Sequence, residues 1–425
     1  MSEERDKAIR REYRGLLRDC GKHIDSDDLK IIREALNIVI QSSDKRIEKN
    51  TGLPVVVYSI MIARVIAGEL GLGKNAIVGA LLTEVVSDSE LTTADIISIF
   101  GSTIAELLKS LSKLSTIDTS KTELQADSFR KLILNLAGDV QVLLIKFAER
   151  IVMMRNLENA DNETQVQVST ESRYIHSPLA HRLGLYNIKS ELDDLSLKFL
   201  DTQSYNEITE KLKATTRARN RFIREFVKPI NDKLESQKIG CEIKGRLKSV
   251  HSIWSKMQKQ KVDFEEVYDL FAIRIIVKSK PEQERSLCWQ VYSIVTDLYT
   301  PNPERLRDWI SIPKNNGYES LHTTVASPKG RWVEVQIRTE RMNEIAEKGF
   351  AAHWKYKGAK SDKLLDEWLQ SMRETLESSG QESKDFVDQV KLDLYSDEIF
   401  VFTPRGDLKR LPRDASVLDF ALLFL

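Results

Sequence analysis

The sequence predicts an all-helical domain followed by a mixed α/β domain in one chain. From residue 28 to about residue 200, apolar side chains recur three and four residues apart, which is the spacing of helices packed on a core. From residue 241 onward they alternate or run continuously, as they do in strands. The length of 425 residues also exceeds that of a single domain, which usually holds ~100–200 residues.

The charge balance excludes a protein whose whole surface attracts nucleic acid or lipid. Lys and Arg total 64, as do Asp and Glu, so any anion site must be local. The scattered cysteines, Cys20, Cys241 and Cys288, form no zinc-binding pair and indicate a reducing compartment. The N-terminus lacks the apolar segment of a signal peptide, and no apolar run approaches the ~20 residues that span a bilayer. We therefore expect a cytoplasmic protein without a membrane partner.

Helical periodicity in the first third predicts a series of helices, including segments 80–86, 93–100, 104–114, 129–138 and 140–157. The chain has six histidines, and none lies between His23 and His176. Transition metals in hydrolytic sites prefer imidazole or thiolate ligands, which this domain almost lacks. Glu84, Asp88 and Glu149 are candidates to hold a hard cation through carboxylates alone. They are otherwise solvated or ion-paired carboxylates, which we favour.

A connector follows, with one long helix predicted at about residues 202–237. Its inward positions are Ile208, Leu212, Phe222, Phe226, Ile230 and Leu234. Its basic residues are Lys211, Lys213, Arg217, Arg219, Arg221 and Arg224. A solvated helix face is favoured for this basic stretch over a phosphate or partner contact. For His176 and His181, beside an apolar face, packing or hydrogen bonding is favoured over metal ligation.

The mixed domain opens with a strand at residues 241–246 and a helix for which Ser249 is the expected N-cap. Arg246 and Lys248 therefore lie at a helix N-terminus, where free amides, the helix dipole and added cations favour a phosphate group. Ser252 and Lys256 are four residues apart, so they share one helix face. Together these four side chains indicate a phosphate site.

A near-continuous apolar strand is predicted at residues 270–277, buried on both faces. Arg274 interrupts it, and a buried charge costs several kcal/mol unless it is paired. A ligand contact and a buried ion pair are equally open for this residue. Asp269 lies at the mouth of the strand, and Glu334 on another strand is its potential partner. Two carboxylates that converge from separate strands suit Mg²⁺ held between the protein and substrate phosphates.

A polar loop at residues 312–320 leads into another strand, and residues 332–338 alternate strictly. Val333, Val335 and Ile337 fall on one face of this strand. Trp332, Glu334, Gln336 and Arg338 fall on the other. A strand with one apolar face and an opposite face that carries a carboxylate, an amide and a guanidinium predicts the floor of a nucleotide site.

Six ordered motifs lie between Gly245 and Trp354. They are Gly-Arg-Leu-Lys-Ser at 245–249, Tyr-Asp-Leu at 268–270, Arg-Leu-Arg-Asp-Trp-Ile at 305–310, Asn-Gly-Tyr-Glu-Ser-Leu-His-Thr-Thr at 316–324, Val-Glu-Val-Gln-Ile-Arg-Thr at 333–339 and Ala-Glu-Lys-Gly-Phe-Ala-Ala-His-Trp at 346–354. This series resembles the synthetase domain of the long RelA/SpoT-homologue family, the synthetases and hydrolases of guanosine tetra- and pentaphosphate. The resemblance implies a nucleotidyltransferase-like mixed sheet flanked by helices. It also implies Mg²⁺-dependent transfer of pyrophosphate from ATP to the 3′-hydroxyl of GDP or GTP in the stringent response.

The same resemblance implies a role for each matching residue. On the ATP side, it assigns Arg246 to the adenine, the phosphates to Lys248, Ser252 and Lys256, and a further ATP contact to Arg274. It makes Asp269 and Glu334 the catalytic carboxylates that bind Mg²⁺, with Glu334 as the base for the 3′-hydroxyl. On the acceptor side, it implies that Tyr318 stacks on guanine and Gln336 orients the nucleotide. The other acceptor-side residues are Arg305, Arg307, Lys314, Asn316 and His322.

The helical domain resembles the HD-type hydrolase domain of the same family in its frame but not in its metal ligands. The family's first ligand histidine corresponds to Tyr58, and its His-Asp pair to Thr83 and Glu84. Its next Glu-Asp pair corresponds to Ser87 and Asp88. Its late Asp and Asn correspond to Glu149 and Met153. The resemblance therefore implies a lost hydrolase that persists as a regulatory or scaffolding body.

The tail contains an amphipathic helix at 361–376, a linker at 378–383 and a hairpin at 398–412 that is similar to the start of a TGS domain, a β-grasp fold. The predicted domains are 1–180, helical and HD-like; 181–238, connector; 239–358, synthetase; 359–394, helical linker; and 395–425, partial TGS-like. The apolar end at 421–425 leads us to expect a truncated chain. Missing C-terminal domains would bring the ribosome and uncharged tRNA as partners.

Three functions stay open from the sequence. They are a synthetase that has lost its hydrolase, a bifunctional synthetase and hydrolase, and a non-catalytic ribosome-associated regulatory module. The Asp269–Glu334 pair and Tyr318 favour the first. The basic segment 305–308, which is like that of bifunctional members, accompanies a degenerate hydrolase and leaves both GDP and GTP open as acceptors.

Overall fold

The computed structural model describes residues 2–21, 24–43, 45–86, 92–115, 140–267, 270–314, 316–349, 398–402 and 408–412, with positions 416 and 421. The chain divides into two compact units. They are Met1–Ser112 with Asp139–Asp366, and Lys113–Gly138 with Glu367–Leu425. The helices predicted at 129–138 and 361–376, the linker at 378–383 and the chain end at 422–425 lie outside the described residues. The domain boundaries predicted at 180, 238, 358 and 394 stay predictions.

The first unit begins with a run of helices, as the periodicity predicted. They are α1 Ser2–Cys20, α2 Ser26–Ser42, α3 Val55–Arg64, α4 Lys74–Val86, α5 Thr93–Phe100, α6 Ser102–Ser115, α7 Val140–Arg155, α8 Asn162–Glu171, α9 Ser177–Arg182 and α10 Tyr186–Leu200. Local chemistry sets several of their starts: Asp25 accepts the first amides of α2, and Thr92 forms a capping box with Asp95 before α5. Helix α1 was not predicted, although Leu16 and Cys20 on it are fully buried.

The prediction of a single long helix at 202–237 is wrong. The helix is interrupted at Thr215, which separates α11 (Thr202–Ala214) from α12 (Thr216–Ser236). The hydroxyls of Thr215 and Thr216 bond back to the carbonyls of Lys211 and Leu212. Such side-chain bonds compete with the regular helix ladder. The break allows the two helices to pack on different surfaces. All six predicted inward residues of the pair are buried.

The mixed domain is built on a five-stranded sheet with the order β1-β2-β5-β4-β3. The strands are β1 Cys241–Leu247, β2 Phe271–Val277, β3 Arg307–Asp308, β4 Leu321–Ala326 and β5 Trp332–Thr339. The helices between and after them are α13 Val250–Gln260, α14 Glu284–Leu298 and α15 Glu340–Lys348. Strand β2 pairs parallel with β5 and antiparallel with β1. The predicted mixed sheet is therefore confirmed, whereas α14 was not predicted.

One face of the sheet carries the apolar core of this domain. Val333, Val335 and Ile337 of β5 are almost fully buried, as their alternation predicted. They share a cluster with Phe226 of α12 and Val291 of α14, so these two helices cover that face. The opposite face, which carries the polar residues of β5, is consequently left for α10, α13 and the site between them.

The second unit contributes one described element, a hairpin. Strands β6 (Glu398–Phe402) and β7 (Leu408–Pro412) pair antiparallel, so the predicted hairpin is confirmed. Its assignment to a TGS-like domain stays a prediction. In the part of the chain that the structure describes, no helix combines the length and apolar character needed to span a membrane.

Candidate active site

The register of the sheet brings the polar residues of four strands into adjacent rows. Glu334 of β5 lies opposite Ala272 of β2, which in turn faces Arg246 of β1. In the next row, Gln336 of β5 lies between Arg274 of β2 and His322 of β4. Cross-strand neighbours on one face of a sheet are ~5 Å apart. The sequence pattern identified these residues separately, and the pairing places them side by side.

A cavity of about 690 Å³ opens beside these rows. Its wall contains four of the five predicted ATP-side residues and two residues of β5. They are Arg246, Lys248, Ser252, Lys256, Glu334 and Gln336. Ser252 and Lys256 share the inward face of α13, as their spacing predicted. A cavity of this size suits a nucleotide-sized ligand.

Both carboxylate oxygens of Glu334 have partners in the cavity wall or beside it. One of its oxygens accepts hydrogen bonds from Gln336 at 2.8 Å and from His322 at 3.2 Å, and the other lies 3.5 Å from the Lys248 ammonium. Burial alone would raise the pKa of Glu334, but the His322 bond, the Lys248 charge and the Gln336 bond outweigh it and hold the pKa well below its usual range. The carboxylate is therefore ionised at neutral pH.

The sequence predicted free amides at the N-terminus of α13, but in the structure the first three amides are hydrogen-bonded to side chains. Ser249 is the N-cap, as predicted, and accepts the amide of Ser252 at 3.2 Å. The amides of Val250 and His251 are taken by the carboxylate of Asp194 from α10, at 3.2 and 2.7 Å. Phosphates in the cavity would meet the side chains of α13 rather than these two amides.

The acceptor-side residues surround Tyr318, which lies just before β4. Its hydroxyl donates to His322 Nε2 at 2.8 Å, so Tyr318, His322 and Glu334 form a hydrogen-bonded chain. Burial lowers the pKa of His322 in spite of the Glu334 carboxylate. A neutral His322 with its proton on Nδ1 satisfies both bonds. The ring of Trp309 packs edge-on against Tyr318 and His322.

The polar loop before β4 contacts both this aromatic group and the connector. Lys314 Nζ lies 4.3 Å from the centre of the Trp309 ring and 5.8 Å from that of Tyr318. Asn316 accepts the amide of Tyr318 at 3.2 Å and donates to the hydroxyl of Tyr186 at 2.8 Å. Tyr186 belongs to α10 and packs edge-on against Tyr318. The loop thus joins the helical part of the unit to the acceptor side.

Two buried arginines lie on the polar face of the sheet. Arg274 donates to Glu347 at 2.5 Å and is 8% exposed, so the ion-pair alternative for this residue is observed. Its ATP contact stays a prediction. Arg338 is 1% exposed, donates to Gln336 at 3.3 Å and lies 5.8 Å from the Tyr318 ring. Burial lowers the pKa of Arg338 to about 10. The Nε atoms of both arginines lack a hydrogen-bond partner within the described ranges.

Two predicted site residues do not join this arrangement. Arg305 and Arg307 are exposed, and Arg307 donates to the backbone carbonyls of Glu304 and Leu306. Their acceptor role stays a prediction. Asp269 lies outside the described residues, so its pairing with Glu334 also stays a prediction.

The donor chemistry of the cavity fits Mg²⁺. Glu334 offers ionised oxygen on a wall that also carries Lys248 and Lys256. Mg²⁺ in phosphate-transfer sites usually takes one or two carboxylates and completes its shell with phosphates and water. Among the described residues, no group of three or more His, Cys, Asp and Glu could hold a metal ion by itself. Glu334 would therefore have to share the ion with Asp269 and the substrate phosphates.

In the helical domain, the residues aligned with the HD motif do cluster, but their chemistry differs. Tyr58 is 1% exposed and donates to the backbone carbonyl of Glu149 at 3.4 Å, while the Glu149 side chain pairs with Lys146 at 2.6 Å. Burial and the charge of Glu149 raise the pKa of Glu84 to about 7. Asp88 lies outside the described residues. His176 Nδ1 donates to the Glu171 carbonyl at 3.3 Å, and the ring packs against Phe147, as expected of a packing histidine.

Sequence reasoning missed the contribution of α10 and of α15. Asn187, Ser190, Glu191 and Asp194 of α10 line the cavity, and Glu347 of α15 holds Arg274. For α10, the four polar positions on one helix face were a usable signal. Arg338 was placed on the polar face of β5 but not counted in the site.

Comparison with protein families gives two matches. A family model described as "Region found in RelA / SpoT proteins" matches residues 245–361, and one described as "HD domain" matches residues 35–186. The first match covers strands β2 to β5, the last three residues of β1 and the cavity residues from Arg246 onward. The second ends at Tyr186, the first residue of α10.

Curated relatives match across both regions. The chain is 38% identical over 402 residues to a GTP pyrophosphokinase of Myxococcus xanthus, covering 93% of this chain and 52% of that protein. It is 37% identical over 405 residues to the bifunctional (p)ppGpp synthase/hydrolase SpoT of Escherichia coli strain K12, covering 94% and 57%. The chain thus spans about half the length of these relatives. Among solved structures, small alarmone synthetase 1 of Bacillus subtilis bound to its product pppGpp is 22% identical, with a TM-score of 0.25. That match covers 40% of this chain and 88% of the synthetase chain.

Proposed function

The chain belongs to the RelA/SpoT family, with an HD domain at residues 35–186 and a RelA/SpoT region at residues 245–361, and on this premise we propose that it transfers pyrophosphate from ATP to the 3′-hydroxyl of GDP or GTP. The observation that carries the proposal is the cavity in which Arg246, Lys248, Ser252 and Lys256 face Glu334. This cavity brings positively charged side chains, which can bind a triphosphate, together with the ionised carboxylate of Glu334. The site of action that we propose is the cytoplasm, where these nucleotides are available.

The reaction asks mainly for positioning and charge neutralisation. The acceptor's 3′-oxygen attacks the β-phosphorus of ATP, the bond from that phosphorus to the α–β bridging oxygen breaks, and AMP leaves with that oxygen. Lys248 and Lys256 would balance the charge on the transferred group. Glu334, which is ionised at neutral pH, would accept the proton of the 3′-hydroxyl. Mg²⁺, when bound between Glu334, Asp269 and the phosphates, would neutralise charge that develops on the phosphate oxygens.

The acceptor nucleotide would lie against Tyr318. An aromatic ring offers a flat surface for a base, and this one is held by Trp309 and Tyr186 at its edges. Gln336, bonded to both Glu334 and Arg338, would orient the acceptor sugar towards the base. Lys314, Asn316 and His322 complete this proposed side.

The decisive experiment is incubation of the full chain with ATP, Mg²⁺ and either GDP or GTP, followed by separation of the nucleotides. We expect AMP and guanosine tetra- or pentaphosphate in equal amounts. The absence of both products would contradict the proposal and favour the non-catalytic module. Comparing the two acceptors at equal concentration determines which one this site prefers.

We further propose that the helical domain no longer hydrolyses the product. The support is chemical: Tyr58 replaces an imidazole, Glu84 has a pKa of about 7, and Glu149 is engaged by Lys146. Such a group of side chains offers a transition metal only weak or protonated ligands. Incubation of the chain with Mn²⁺ and purified guanosine tetraphosphate tests this proposal. Release of pyrophosphate would contradict it and establish a bifunctional enzyme.

A further inference from the structure

One face of helix α10 is part of the cavity wall. Asn187, Ser190, Glu191 and Asp194 all line the cavity, and their spacing of three, four and seven residues places them on a single helix face. The helix lies outside the matched RelA/SpoT region, which starts at residue 245. A segment predicted as a connector therefore contributes a polar surface to the nucleotide cavity.

Asp194 makes the most specific contact of this face. Its two oxygens accept the amides of Val250 and His251, the first two residues of α13, and Ser249 gives it a further hydrogen bond. Burial raises the pKa of Asp194 in spite of these bonds. A half-buried carboxylate with three donors from one turn fixes the position of that turn, because leaving the donors unpaired would cost free energy.

Two further contacts hold α13, one from α10 and one from Arg173, which lies between α8 and α9. Asp193, next along α10, is 4% exposed and lies 3.6 Å from His251 Nδ1, while it also pairs with Lys189. The guanidinium of Arg173 lies 5.2 Å from the centre of the Trp254 ring on α13. Helix α13 is thus held from the connector side. Its other face presents Ser252 and Lys256 to the cavity.

We propose that Asp194 is a positioning residue of the donor nucleotide site: by capping α13 from the connector, it sets where Ser252 and Lys256 meet the phosphates of ATP. This inference rests on the proposed function for the identity of the ligand. Asp194 does not itself contact the phosphates, since its two oxygens are engaged with the amides. Its loss would misplace the phosphate-binding side chains of α13 without altering the acceptor side around Tyr318.

The test compares Asp194→Ala and Asp194→Asn with the unmodified chain. Loss of a helix cap costs roughly 0.5–2 kcal/mol, so we expect Asp194→Ala to raise the KM for ATP by about two- to thirtyfold. Asn keeps one acceptor oxygen, and its effect should be smaller. The KM for GDP or GTP should stay unchanged for both variants. The Kd for a non-hydrolysable ATP analogue, measured by calorimetry, should rise by the same factor as the KM.

Asp161→Ala is the matched control, because it removes the same kind of carboxylate cap from a helix that does not line the cavity: Asp161 accepts the amide of Thr164 at the start of α8. We expect it to lower the melting temperature without a selective effect on ATP. An unchanged KM for ATP in Asp194→Ala, or an equal rise for both substrates, would overturn the inference. So would a lower KM for ATP, because it would show that the Asp194 charge only repels the phosphates. If the unmodified chain binds the ATP analogue but makes no product, the proposed function is contradicted. The Kd values for the analogue would still test the role of Asp194.

Discussion

The two halves of the first unit each contain a partly buried glutamate, and the pKa values of the two carboxylates are shifted in opposite directions. Glu84 lies beside the carboxylate of Glu149, and together with burial this raises its pKa to about 7. Glu334 is also removed from water, but His322, Lys248 and Gln336 hold its pKa well below the usual range. Burial is thus common to both, and the neighbours decide the sign of the shift.

The opposite pKa shifts make the two carboxylates unequal as a base or a metal ligand. A base or metal ligand must be ionised near neutral pH, and Glu334 meets this condition. Glu84 is half protonated there, and Tyr58 next to it is held neutral because burial raises its pKa well above the usual value. The charge state of Glu84 therefore supports the proposed loss of hydrolysis, and that of Glu334 supports the proposed synthetase site.

The largest expected effect comes from replacing one glutamate by glutamine in each domain, Glu334 in the sheet domain and Glu84 in the helical domain. Glu334→Gln removes the proposed base and should lower kcat by about 10²–10⁴-fold, the usual contribution of general base catalysis. Glu84→Gln should leave synthesis within a factor of ~2. The measurement is the initial rate of AMP release at saturating ATP and GDP. Equal losses in the two variants would break the comparison, since they would place both glutamates in one mechanism.

Local sequence patterns predicted which faces are polar or buried. The alternation of β5 separated Val335 from Glu334 correctly, because strand geometry alone sets that pattern. The cap at Ser249 followed equally from the chemistry of one turn.

Contacts between distant segments were not predictable in this way. Asp194 caps a helix that begins 56 residues later, and Glu347 pairs with Arg274 from 73 residues away. Nothing in the local sequence of either residue specifies its partner, because the partner is chosen by tertiary packing. The break at Thr215 has the same origin: both halves of the predicted helix have the right periodicity, but they pack on different surfaces.

The second prediction concerns stability and uses the raised pKa of Glu84. A carboxyl with a folded-state pKa near 7 and an ordinary value of 4.5 contributes stability below pH 4.5 and loses it as the pH rises towards and past 7. Glu84→Gln removes this dependence. Relative to the unmodified chain, the variant should therefore gain about 2–3 kcal/mol in free energy of unfolding between pH 5 and pH 8.

Urea unfolding followed by far-ultraviolet circular dichroism measures this difference, since the helical domain contributes strongly to that signal. The tryptophans, which all lie beyond residue 253, report the rest of the chain separately by fluorescence. A parallel pH dependence in the two proteins would mean that Glu84 is ionised in the folded state. The contrast with Glu334 would then disappear.

The smallest expected effect comes from removing one hydroxyl in each cluster. Tyr318→Phe keeps the ring against which guanine is proposed to stack, but it deletes the donor to His322 at 2.8 Å. A hydrogen bond of this kind is worth about 1 kcal/mol, so kcat/KM for the acceptor should fall by about fivefold while the KM for ATP stays unchanged. Tyr58→Phe deletes a longer bond, 3.4 Å to the Glu149 carbonyl, and should change only the melting temperature. Because both substitutions remove one oxygen from a tyrosine with a partner, an equal effect on synthesis would show that the helical cluster still communicates with the site. A selective effect of Tyr318→Phe would instead locate the acceptor nucleotide at the end of the hydrogen-bonded chain that reaches Glu334.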